Sequence, residues 1–275
     1  MRVRVLRHVA AAEFQATSRA RWASVFAVTF AALALALSYF GMFHAGFSGF
    51  VGFVRTSTSL LSVCTLMLPL VALTVGALAF SGEPERHHLI LVQPVTHAEV
   101  VAGRYLGLLA ALAGAAVVGF GAAGVIIALR AGSEGWLRYA GIIGLSVVLL
   151  AISLGIGVLV GVASRERSRA LGAAVVVWGL AVVLYDLVVM GVSVMVSGDV
   201  IRPMLLTLVM ANPVDLVRVL GLLTIGARAS LGAPGAVLAA ALNELSGKVL
   251  MPLAVTLWLV LPLYIAYRHM QQQDY

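Results

Sequence analysis

Charge is what this sequence has least of. Only 11% of its 275 residues are Asp, Glu, Lys or Arg, and 62% are hydrophobic, where a soluble domain usually has about 25% charged and about 45 to 50% apolar residues. A water-soluble domain around a single core is thereby excluded. Cysteine is nearly absent as well. Cys64 stands alone, so no intrachain disulfide can form, and six scattered histidines with no C-x-x-C offer no thiolate metal site. Acidic residues, 11 against 18 basic ones, leave a formal charge of +7. The basic side chains sit in small groups between apolar runs and form no groove, a pattern that orients a chain in a membrane and gives no nucleic-acid footprint.

What is present is apolar sequence in long runs. A hydrocarbon core of about 30 Å needs about 20 apolar helical residues, and six such runs occur, near Trp22–Phe43, Ser59–Phe80, Tyr105–Leu129, Tyr139–Ala163, Ala170–Val196 and Val249–Tyr267. The predicted fold is an all-α membrane protein of six transmembrane helices in one transmembrane domain, 1–275. Thr96 and Glu99 have capping-box spacing just before the third run. An A-x-A at Ala34 and Ala36 is read as part of the first span and not as a cleavage site, since apolar sequence continues beyond it. Tyr39, Trp136, Tyr105, Tyr264 and Tyr267 fall near expected interfaces, whereas Trp178 and Trp258 lie deeper.

Orientation follows from the basic residues, which resist translocation. With the N-terminus inside, the cytoplasmic side holds Arg2, Arg4, Arg7, Arg19, Arg21, Arg86, Arg104, Arg165, Arg167, Arg169 and Arg268. The other side holds Arg55, Arg130, Arg138, Arg202, Arg218, Arg228 and Lys248, four of them in one long connection. Both termini are therefore expected in the cytoplasm.

Three segments between the spans carry information. Residues 1–20 place Val3, Leu6, Ala10 and Phe14 on one stripe, which reads as an interfacial helix. Residues 81–104 bracket about two helical turns between Pro84 and Pro94, with Glu83, Glu85, Arg86, His87, His88 and Leu89 at its start, a stiff charged knob suited to a cytosolic partner. Residues 197–248 are too apolar for a free loop. Leu205–Met210 and Leu216–Ile225 are too short to cross and are broken by Asn212 and Pro213, and Ala236–Leu245 resembles another short helix. Such elements at membrane depth need protein or a cavity beside them, so the segment is expected to enter the outer leaflet and return.

No catalytic constellation is visible. Ser246-Gly247-Lys248 has the ending of a P-loop without its glycines, and neither G-x-S-x-G nor H-E-x-x-H occurs. Met42 with His44, or His87 with His88, has copper-ligand chemistry, but nine methionines in so apolar a chain read as packing, and no metal site is assigned. Asp186 stands out near the middle of the fifth span. A charge there costs about 2.5 to 3.5 kcal/mol on insertion scales, so it should face protein or water, although no other span offers a basic residue at its depth. A conformational or polar-path role and a protonated carboxyl bonding a neighbouring helix both fit. Gly103-x-x-x-Gly107 and Gly157-x-x-x-Gly161 allow close helix packing.

Six spans, an amphipathic entry helix and an acidic knob after the second span together resemble the permease subunit of ABC-2 (type V) exporters. The stretch Glu83-Pro84-Glu85-Arg86-His87-His88-Leu89 through Gly103-Arg104 is similar to the family's coupling segment, with His87-His88 in place of Gly-Thr, His97 at an Arg position and Arg104 at a Lys position. Within the family, Leu66-Met67-Leu68-Pro69-Leu70-Val71-Ala72-Leu73, Tyr185-Asp186-Leu187 and Asn212-Pro213-Val214-Asp215-Leu216-Val217-Arg218 resemble a branch that serves maturation of nitrous oxide reductase. The resemblance implies a homodimer in the inner membrane and two copies of a cytoplasmic ABC ATPase that bind ATP and Mg. It also implies a periplasmic β-helical partner, with a copper chaperone nearby, and no cofactor bound by this chain. Asn212, Pro213, Asp215 and Arg218 are assigned to docking of that outer partner, with Asp215 and Arg218 one turn apart, able to pair and hold the two short helices at a set angle. A generic ABC-2 exporter of lipid, polysaccharide or drug shares nearly all these features. A stand-alone secondary carrier would want inverted repeats and more intramembrane polar residues.

Overall fold

A computed structural model describes residues 3–40, 50–82, 96–164, 166–195, 200–227 and 245–273. The described residues form helices only: α1 (Val3–Ser18), α2 (Arg21–Tyr39), α3 (Phe50–Phe80), α4 (His97–Ala163), α5 (Arg167–Gly179), a π-helical turn at Leu180–Leu184, α6 (Tyr185–Met195), α7 (Ile201–Ala211), α8 (Pro213–Ile225) and α9 (Leu245–Gln273). Six stretches are long and apolar enough to cross a membrane: Arg21–Tyr39, Gly52–Phe80, Ala98–Gly121, Gly135–Ala163, Arg167–Met195 and Val249–Gln272. The count read from apolar runs holds, with the ends moved by a few residues. The six are called spans 1 to 6 below.

α4 supplies two of them by reversing direction. Tyr105 donates to the Ala151 carbonyl at 2.9 Å although 46 residues separate them, and a straight helix would hold them about 69 Å apart at 1.5 Å per residue. The two limbs pack side by side, and Tyr139 donates to the Phe120 carbonyl at 2.7 Å near the turn. Tyr105, placed near an interface from its sequence position, is buried between helices, where its hydroxyl finds a backbone acceptor.

In the main apolar cluster span 2 lies against both limbs of α4, through Leu60, Leu61, Leu68 and Ala72 from α3 and Leu108, Leu112, Leu150, Leu154 and Val158 from α4. In lipid, helices gain nothing from hydrophobic segregation, so close backbone contact must hold them. Small residues supply it. A Cβ on Gly157 would lie 2.5 Å from the Leu73 carbonyl oxygen, one on Gly161 2.5 Å from that of Ala77, and one on Gly76 2.7 Å from that of Leu154. Both Gly-x-x-x-Gly pairs expected to pack closely do so, the second here and the first under α1.

Candidate functional site

Two regions hold the polar chemistry, one at the C-terminal end of α3 and one against its middle, and they are named inner and outer for the orientation expected from the basic residues. The inner one begins at the capping box. The Thr96 hydroxyl accepts from the Glu99 amide at 3.4 Å and the Glu99 carboxylate from the Thr96 amide at 3.1 Å, which starts span 3 about two turns before Arg104. The Arg104 guanidinium then donates through Nη2 to the Ala79 carbonyl at the end of α3 (2.8 Å), pairs through Nε with Glu13 of α1 (3.3 Å), and lies 4.9 Å over the Phe80 ring. One side chain so ties α1, the end of span 2 and the start of span 3. Glycine lets α1 approach. A Cβ on Gly103 would meet Val9 at 2.8 Å, and one on Gly107 would meet the Ala10 carbonyl oxygen at 2.5 Å.

The helical face of α1 that docks is therefore Val9, Ala10 and Glu13, offset from the stripe expected on apolar spacing, and Phe14 is turned out, 41% exposed. The shift arises because a protein surface with glycines and a cation can take a carboxylate, which lipid cannot. Glu13 was not singled out by its sequence context, since its partner Arg104 is 91 residues away. The knob residues Glu83, Glu85, Arg86, His87, His88 and Leu89 lie outside the described residues. The Thr96–Glu99 cap follows that segment in the chain, and Arg104 bonds the Ala79 carbonyl on the helix that precedes it.

The outer region is built around a break. α7 and α8 meet at 113°, and both are apolar enough to sit at membrane depth, where every exposed backbone group needs a partner. Asn212 makes the corner. Its Oδ1 accepts from the Val214 amide at 3.0 Å as the N-cap of α8, Pro213 takes the first helical position, and Asp215 lies in the first turn, where a carboxylate suits the helix dipole. The C-terminal carbonyls of α7 have no helical donors. Tyr185 donates to that of Leu208 at 2.7 Å, and the Trp258 indole to that of Met210 at 3.0 Å. This explains the depth of Trp258 in span 6: it is a buried donor for a broken helix. Trp178 has a parallel role toward the Leu66 carbonyl of α3, at 2.9 Å, one residue past the carbonyl that loses its donor to Pro69. The Asn212 side-chain amide completes the corner by donating to the Ala181 carbonyl, inside the π-helical turn, at 2.6 Å. Such turns, with one residue more per turn, recur at functional positions.

One turn beyond, Arg218 donates to Asp186 of α6 at 2.7 Å through Nη1 and to Asp215 of its own helix at 2.8 Å through Nη2. The sequence reading found no basic partner for Asp186 in another span. The structure corrects this with Arg218, because the returning hairpin carries a cation down to the depth of span 5. The Asp215–Arg218 pair expected from spacing is present, and its setting is internal: Asp215 is 3% exposed and shares the guanidinium with Asp186. Asn212 and Pro213 are buried too. The four residues assigned to docking an outer partner thus shape the hairpin from within, and Arg218 faces the same cavity as Asp186. Leu205 and Leu216 are buried and Leu206, Leu220 and Leu223 partly so, which is the packing expected of them. The cavity, of about 380 Å³, is lined by Ser62, Thr65 and Leu66 of α3, Ala181 to Val183 and Asp186 of span 5, and Val214, Asp215 and Arg218 of α8.

Six helices long and apolar enough to cross a membrane, an N-terminal helix docked by an arginine and a sharply bent helix pair between spans 5 and 6 define a polytopic α-helical membrane protein. The chain matches the model of the ABC-2 family transporter proteins over residues 7–275 and belongs to that family as a permease subunit of an ABC transporter. It is similar to two proteins described as probable ABC transporter permease protein NosY. One, from Pseudomonas aeruginosa, is 31% identical over 210 residues, 74% of this chain and 76% of that protein. The other, from Stutzerimonas stutzeri, is 33% identical over 221 residues, 78% of this chain and 80% of that protein.

Proposed function

We propose that this chain is the NosY-type permease of a NosDFY assembly in the bacterial inner membrane, working as a homodimer with both termini in the cytoplasm. Two NosF-like ATPase subunits bind and hydrolyse ATP at the inner face, and a NosD-like periplasmic protein docks outside. The purpose is assembly of the copper site of nitrous oxide reductase. The reading is supported by similarity to NosY-named proteins over about three quarters of the chain.

The observation that carries the coupling is the reach of α3. Its inner end, Ala79 and Phe80, is held by Arg104 beside the 81–104 segment. Its outer half touches the hairpin, where a Cβ on Gly221 of α8 would lie 2.7 Å from Leu61. A helix of 31 residues so links the expected ATPase contact to the outer surface, and a displacement of one end is delivered at the other without an intervening loop. Asn212, Pro213, Asp215 and Arg218 set the angle of the hairpin that would present residues 228–244 to the outer partner.

The test is deletion of this chain's gene in its own host, followed by complementation. Nitrous oxide reductase from the deletion strain should lack its four-copper site and regain it with the wild-type permease. A variant reversed at both Glu83 and Glu85 should insert but fail to retain the ATPase, a loss of about 2 to 5 kcal/mol where a buried charge pair is broken. Fully loaded reductase in the deletion strain would favour a generic ABC-2 exporter.

A further inference from the structure

The outer cluster holds more acceptors than donors. Asp186 and Asp215 bring two carboxyls, and Arg218 spends one nitrogen on each, Nη1 at 2.7 Å and Nη2 at 2.8 Å. That leaves Asp215 Oδ2 buried without any donor. Asp186 is the carboxyl that shares the Arg218 guanidinium with Asp215, and two carboxylates gathered at one site are relieved of their repulsion when a proton binds one of them. No neighbouring group fills the gap. The hydroxyls of Ser62 and Thr65, which line the same cavity, donate to carbonyls of their own helix at 3.0 Å, those of Thr58 and Ser62. They present only lone pairs to the cavity. The Tyr185 hydroxyl is committed to the Leu208 carbonyl. The charged or titratable groups on the three elements around the cluster are therefore Tyr185 and Asp186 from span 5, and Asp215 and Arg218 from α8, while α3 offers none among the cavity-lining residues.

Charge arithmetic gives the same answer. Two ionised carboxylates beside one guanidinium carry a net −1, and at membrane depth an unbalanced charge is costly. One proton makes the cluster neutral and supplies the missing donor. A metal cation fits less well, because Arg218 already occupies the space between the carboxylates and repels a second fixed cation.

We propose that Asp186 and Asp215 form a proton-binding dyad clamped by Arg218, which holds one proton per chain at neutral pH and ties the re-entrant hairpin to span 5 while it is bound. Release passes the proton to water in the cavity and leaves the anionic cluster, so the contact between hairpin and span is set by protonation. The proposal concerns the cluster alone and stands apart from the identity of any outer partner.

The experiment is infrared spectroscopy of the full-length permease in lipid nanodiscs with 13C-labelled aspartate, a residue that occurs only four times in the chain. At neutral pH the wild type should show the isotope-shifted carbonyl band of a protonated aspartic acid, titrating away at high pH. Asp186→Asn and Asp215→Asn should each abolish it, because either leaves one carboxylate balanced by Arg218 with no proton needed. Absence of an aspartic acid band in the wild type at neutral pH would overturn the proposal, and this reading does not depend on any variant folding. So would a band that survives both substitutions, or one that disappears on titration with sodium or potassium at constant pH, which would mark a site for a metal cation.

Discussion

The two polar regions along α3 are held by opposite means. At the inner end α1 lies on span 3 over two glycines, with one ion pair, Glu13–Arg104, whose partners are each about one-fifth exposed. At the outer end, the hairpin is joined to span 5 by Arg218 with two carboxylates, and to spans 5 and 6 by three side-chain donors to backbone carbonyls. The difference follows from the backbone. α1 is an unbroken helix whose amides and carbonyls satisfy one another, so contact alone decides how it docks. α7 and α8 are interrupted at membrane depth, and each freed group must find a donor or acceptor from another element. The inner end is thus sensitive to volume and the outer end to hydrogen-bonding capacity.

The largest effect should come from the outer cluster. Arg218→Met keeps much of the aliphatic stem but leaves two carboxyls without their shared cation, and breaking a buried ionic group by removing one partner costs about 3 to 5 kcal/mol. Because Asp186 and Arg218 are about two-fifths and one-third exposed, the lower part of that range applies. Thermal unfolding of the purified permease should show it, and adding Asp186→Asn to Arg218→Met should restore part of the loss. Equal stability of Arg218→Met and wild type would remove the distinction between the two regions.

Next in size is Gly107→Leu at the inner end. Its Cβ would meet the Ala10 carbonyl oxygen and Glu13, and overpacking of this kind costs about 1 to 3 kcal/mol. α1 should leave span 3 while the six spans stay folded, read as faster amide exchange confined to Val3–Ser18. The smallest effect belongs to Glu13→Gln. It removes a partly exposed ion pair worth about 0 to 1 kcal/mol and keeps the docked volume, so exchange in α1 should barely change. Should Glu13→Gln loosen α1 as much as Gly107→Leu, the inner end would depend on charge after all.

Much of this was legible in sequence because it is local. Twenty apolar residues must span whatever surrounds them, Thr96 and Glu99 cap within one turn, and Asn212-Pro213 breaks a helix wherever it occurs. Gly157 and Gly161 declared a close contact without declaring its partner. The deep tryptophans were visible as anomalies, and their cause was not, since the carbonyls that need them are 48 and 112 residues away.

The sequence by itself determined the six spans, the broken hairpin, the acidic residue in the fifth span and the family to which the chain belongs. Only tertiary structure decided that Asp186 meets Arg218, 32 residues on, that Asp215 is sealed inside, and that α1 docks by Val9, Ala10 and Glu13. Hydropathy fixes where a segment lies in depth, because transfer into lipid is summed residue by residue. Which polar group answers which depends on the rotation and tilt of two helices at once, and that is fixed by packing over the whole bundle.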